Sequence, residues 1–117
     1  MGGWNNFFQN NPGNTALSDI KQMVSMAQAK GIKVVVCTLY AYDTAHPASW
    51  MVPTGNAPVT FYDMWRIPLN QGIENIPSAT VVDISNVFSG QSGYTIDGVH
   101  PTDAGNNEML TAIQNRL

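Results

Sequence analysis

Two short runs, Ile32-Lys33-Val34-Val35-Val36-Cys37-Thr38 and Ala79-Thr80-Val81-Val82-Asp83-Ile84, constrain this chain more than anything else in it. Consecutive β-branched residues put apolar side chains on both faces of an extended strand, because successive side chains point to opposite sides. Such strands need cover above and below, as in a parallel sheet flanked by helices. Residues 32–38 and 79–84 are therefore predicted as buried strands of an α/β fold.

The segments around these runs read as helices and loops. Asn10-Asn11-Pro12-Gly13-Asn14 is a turn cluster. Thr15 is placed to cap a helix whose apolar positions Leu17, Ile20, Met23, Val24 and Ala27 follow helical spacing, with Gly31 as its terminator. Residues 39–58 hold Pro47, Pro53, Gly55 and Pro58 without a sustained period. A connection of that length in a small domain is commonly functional, which makes it the candidate substrate loop. In residues 59–74, Phe61, Met64, Trp65 and Leu69 suit one helix face, but Pro68 should interrupt it. The expectation is a helix at 60–67 and a second short one after it.

Asp83, at the end of the second strand, is placed to lend a carboxylate to a turn. Ser89-Gly90-Gln91-Ser92-Gly93 marks the next loop, and Thr102 caps a final helix with Met109, Leu110, Ile113 and Leu117 in one stripe. Strand, crossover helix, strand and helix make a right-handed βαβ unit with a covering helix.

Composition narrows the function classes. The 117 residues fit one domain, of a size that buries roughly 60–70% of its unfolded surface. Hydrophobic residues at 44% against 11% charged exclude a disordered tail. A net charge of −3, with five Lys plus Arg and no basic cluster, gives no footprint for a phosphate backbone, so nucleic acid is not an expected partner. No apolar run approaches the ~20 residues of a membrane span. The first residues lack a cationic stretch followed by an apolar one, and Asn6 stands where a myristoylation signal needs Ser or Thr. Cys37, the single cysteine, reads as a small buried hydrophobe in its strand and leaves the compartment open.

The chemistry concentrates in Asp97-Gly98-Val99-His100-Pro101-Thr102-Asp103-Ala104-Gly105. A carboxylate three residues before an imidazole suits a charge-assisted pair in which Asp97 fixes the tautomer of His100 and leaves the other ring nitrogen free to move protons. Asp97-x-x-His100-Pro, followed by Thr-Asp-Ala-Gly-Asn, resembles the last conserved block of the SGNH, or GDSL-type, esterases and lipases. Gly3-Trp4-Asn5-Asn6 is similar to the family's Gly-x-Asn-Asp block, with Asn6 in place of Asp.

The resemblance implies a partial three-layer, flavodoxin-like fold and a Ser-His-Asp site in which His100 is the base, Asp97 its orienter, and Asn5 with Gly3 contributes to the oxyanion hole. It also implies that the chain corresponds to the C-terminal portion of such a hydrolase. The Gly-Asp-Ser block with the nucleophile, and a Gly block of the oxyanion hole, precede Gly-x-Asn-Asp in the family and are absent here. A secreted parent with a leader peptide is compatible with this.

Each residue also has a plainer reading. His100 alone would cap a helix or bond a carbonyl, and Asp97 would be a loop carboxylate beside Gly98; the surrounding block favours the catalytic reading. Asp103 reads as a first-turn charge complementing the helix dipole. Asn5 and Gly3 are also ordinary loop residues. Of seven serines, Ser18, Ser25, Ser49, Ser78, Ser85, Ser89 and Ser92, none lies in Gly-x-Ser-x-Gly. Trp4, Tyr40, Tyr42, Trp50, Tyr62 and Trp65 gather around the long loop, either as pocket walls or as packing, and His46 reads as exposed. No metal-ligand spacing is present and no cofactor is expected.

Two parallel strands seldom hold together without further packing, so an edge and apolar helix faces should call for a partner. A homo-oligomer is expected. The leading functional expectation is a carboxylic ester hydrolase acting on small-molecule acyl esters, short-chain or acetylated carbohydrate. The alternative is a catalytically incompetent SGNH-like domain that self-associates and binds ligand.

Overall fold

A computed structural model describes residues 13–42, 58–89 and 93–117. In chain order its elements are helix α1 (Gly13–Gln28), strand β1 (Val35–Cys37), helix α2 (Pro58–Glu74), strand β2 (Thr80–Val82) and helix α3 (Asp103–Gln114). The two strands pair in parallel, with Val35, Val36 and Cys37 opposite Thr80, Val81 and Val82. The α/β class and the parallel pairing agree with the sequence reading.

The strands are shorter than the apolar runs because their ends serve other bonds. Ile32 donates its N–H to the Ala27 carbonyl at 3.1 Å while Gly31, at φ 71°, donates to Gln28 at 2.9 Å. These two bonds form a left-handed C-terminal cap on α1, so Ile32 belongs to the helix end and not to the strand. At the other end of the sheet the Thr38 hydroxyl donates to Asp83 at 2.9 Å and accepts from the Ile84 N–H at 2.8 Å. Asp83 Oδ1 also accepts from the Ser85 N–H at 2.8 Å, the carboxylate turn expected there.

Alternation splits the interior into two clusters. Val36 and Val81 face Ala16, Val24, Leu69, Ile73 and Ile76 from α1, α2 and the turn after it. Cys37 and Val82 face the opposite way, toward Tyr40, Tyr62, Ile84, Phe88, Val99 and the α3 residues Met109, Ala112 and Ile113. Helical layers lie on both faces, as consecutive valines require, but the cover stops short of Val35 at the start of β1, which is 40% exposed.

Three details depart from the sequence reading. α1 begins at Gly13, so Thr15 lies in its first turn and does not cap it; Met23, at the rim of the buried arc, is 62% exposed. α2 runs unbroken through Pro68. The N–H that proline lacks would have bonded the Met64 carbonyl, and since Met64 and Pro68 both face solvent, water can take that bond. On α3, Leu110 is exposed while Ala112 packs inward, Leu110 lying about 80° round the helix from the Met109–Ile113 line, and Leu117 falls beyond the helix, which ends at Gln114, and is exposed as well. Of the two readings of the aromatic residues, packing is the one that fits these four: Tyr40, Tyr42 and Tyr62 are buried and Trp65 is half-buried among core residues. Trp4, His46, Trp50 and most of the candidate substrate loop lie outside the described residues.

Candidate functional site

Residues 93–102 close on themselves and present Asp97 and His100 at the tip. Thr95 and Pro101 form an antiparallel bridge, Ile96 donates to the His100 carbonyl at 2.8 Å, and Thr102 donates to the Tyr94 carbonyl at 2.9 Å. Gly98 turns the chain at φ 86°, in the left-handed region where a side chain is disfavoured. Thr102 then ties loop to helix: its hydroxyl donates to the Gly93 carbonyl at 2.7 Å and accepts from the Gly105 N–H at 3.2 Å, which caps α3 as expected.

Asp97 divides its carboxylate between backbone and ring. Oδ1 accepts the N–H groups of Val99 at 3.0 Å and His100 at 2.8 Å, the local pattern of an aspartate capping a turn. Oδ2 lies 2.8 Å from Nδ1 of His100. Partial burial works against the charged form, but bonds from the His100 N–H, the His100 ring and the Val99 N–H outweigh it and hold the Asp97 carboxyl below its ordinary range.

An ionised carboxylate has no proton to donate, so Nδ1 of the neutral ring carries the hydrogen and Nε2 keeps a lone pair. Among the described residues Nε2 has no hydrogen-bond partner. The His100 side chain is 63% exposed against 22% for Asp97, so the ring stands open to solvent. Chemically, this is an oriented imidazole base in contact with solvent.

The structure brings Asp97 and His100 together as the sequence spacing suggested. Gly3 and Asn5 lie outside the described residues. No described serine hydroxyl bonds the ring; Ser85, at the end of β2, bonds Asp83 instead. Cys37 is half-buried, and burial pushes its thiol upward, away from the thiolate a nucleophile needs. No group of three or more His, Cys, Asp or Glu among the described residues is arranged to hold a metal ion, and no described helix is long and apolar enough to cross a membrane.

One contact had no signal in the sequence. The buried Tyr40 hydroxyl, just beyond β1, donates to the Val99 carbonyl, while the Tyr62 hydroxyl holds the Tyr40 carbonyl at 3.0 Å. Tyr40 and Val99 are 59 positions apart, beyond the reach of any local pattern. No protein-family model matches the chain, and no curated protein or solved structure matches it.

Proposed function

We propose that Asp97 and His100 form the acid–base half of an ester hydrolase of the SGNH type, acting on acyl esters with short-chain or acetylated carbohydrate substrates. The observation that carries the reading is the split use of the Asp97 carboxylate, one oxygen anchored by two backbone N–H groups and the other fixing the proton on Nδ1. His100 removes a proton through Nε2 and returns it to the leaving alcohol. Asn5 and Gly3 supply oxyanion donors, as the resemblance implies. Within these 117 residues, which contain no Gly-Asp-Ser block, the attacking group available to His100 is water. Turnover by these residues alone is expected to be weak, without the covalent half of the mechanism.

The exposure of Met23 and Met26 on α1, and of Met64 and Ile67 on α2, leaves large apolar side chains open to solvent and favours self-association. A homo-oligomer is thus part of the proposal, and it serves equally the second reading, a domain that binds but does not turn over.

Hydrolysis of p-nitrophenyl acetate, of longer acyl homologues and of a peracetylated sugar, compared between wild type and His100→Ala, tests the enzyme reading. Turnover above buffer that His100→Ala removes supports it. Equal rates for both proteins at the level of buffer leave the binding-only reading.

A further inference from the structure

Tyr40 and Asp97 grip the same peptide group from its two ends. The peptide bond between Val99 and His100 contributes the Val99 carbonyl, which accepts from the Tyr40 hydroxyl, and the His100 N–H, which donates to Asp97 Oδ1 at 2.8 Å. No described peptide is cis, so these two groups point in opposite directions from one rigid plane. Turning that plane about the chain axis would break both bonds at once.

The direction of the plane decides where the carboxylate sits. Asp97 Oδ1 follows the His100 N–H, and once Oδ1 is placed the carboxylate rotamer leaves Oδ2 facing Nδ1 of the ring. The tyrosine end of the clamp is the firm one. Tyr40 is 2% exposed, its ring meets Phe88 edge-on at 4.8 Å, and its own carbonyl is held by Tyr62. The aspartate end lies in a surface loop with an exposed ring beside it. Orientation therefore runs from the core outward, from the end of β1 to the imidazole.

We propose that Tyr40 is a positioning residue for His100, acting through the Val99–His100 peptide plane and the Asp97 carboxylate to set which ring nitrogen carries the proton. This deepens the hydrolase reading and rests on it, since the ring state matters to function only where His100 is a base. Tyr40 acts through the Val99 carbonyl, and its role is distinct from that of the Asp97–His100 pair.

The test reads the His100 ring directly by long-range ¹H–¹⁵N correlation in the full chain, in wild type, Asp97→Asn, Tyr40→Phe and Thr38→Val. Thr38→Val is the control, because it also removes a buried hydroxyl just beyond β1, one bonded to Asp83 and Ile84 and not to the clamp. The ratio of Nδ1–H to Nε2–H tautomer should fall by about 3- to 10-fold in Tyr40→Phe, the worth of one buried hydrogen bond, and change much less in Thr38→Val. An unchanged ratio in Tyr40→Phe, or equal falls in Tyr40→Phe and Thr38→Val, overturns the proposal while a fall in Asp97→Asn leaves the hydrolase reading intact. No change in Asp97→Asn removes the pair itself and with it both readings. Should Tyr40→Phe not fold, the wild type still decides: a slowly exchanging Tyr40 hydroxyl proton coupled to the Val99 carbonyl supports the clamp, and a rapidly exchanging one contradicts it.

Discussion

The side-chain amide of Asn70 pairs with the backbone of Leu39 as an adjacent strand would, accepting the Leu39 N–H at 2.7 Å and donating to its carbonyl at 2.8 Å. Asn70 comes from α2 and is 5% exposed, so both bonds are shielded from water. It supplies pairing for the residue two positions after β1, between the sheet and Tyr40. Asn70→Leu should orphan the buried Leu39 N–H, costing roughly 1–3 kcal/mol, and leave the Leu39 carbonyl with only the long bond from Arg66 at 3.5 Å. Urea unfolding monitored by circular dichroism measures this.

Gly105 allows α3 to pass against the loop that presents the site. A Cβ at this position would stand 2.1 Å from the Tyr94 carbonyl oxygen, a backbone atom already committed to the Thr102 N–H. Gly105→Ala would stabilise an isolated helix, so its expected effect here is opposite in sign to propensity. A loss of roughly 1–3 kcal/mol by chemical denaturation is predicted from the overlap.

Acid should weaken the fold through two carboxyls. Hydrogen bonds from Ser85, side chain and then backbone, lead in holding Asp83 below its ordinary range, and bonds centred on His100 do the same for Asp97 against its partial burial. Because both are lower in the folded state, the unfolded chain binds more protons as pH falls through its carboxyl range near ~3.9. The stabilisation is complete above that range and is lost as pH drops toward the folded-state values. Thermal melts between neutral and strongly acidic pH should fall away on the acid side, and less steeply in Asp97→Asn and Asp83→Asn.

Periodicity carried the reading where burial is set by one neighbour and failed where several compete. Consecutive valines announced a sheet covered on both faces, and Val36 and Val81 do face one helical layer while Cys37 and Val82 face the other. Pro68 suggested a break because local pattern does not reveal that the unsatisfied carbonyl would lie on the water side of α2. Leu110 suggested a core position because apolar identity says nothing of how wide an arc the sheet can cover, and Leu117 because periodicity does not show that the helix stops at Gln114. The Asp97–His100 pair was legible because it is made within one turn. Tyr40 on Val99 and Asn70 on Leu39 were not, since each joins residues tens of positions apart through a backbone atom, which any residue type possesses.

If Asp97 makes His100 a base, the rate of p-nitrophenyl acetate hydrolysis by wild type, Asp97→Asn and His100→Ala at neutral to mildly alkaline pH reads it most directly. A misoriented ring loses most of what general-base catalysis provides, so Asp97→Asn is predicted to fall by roughly 10²-fold or to the buffer rate, together with His100→Ala. Three proteins with indistinguishable rates would contradict the account.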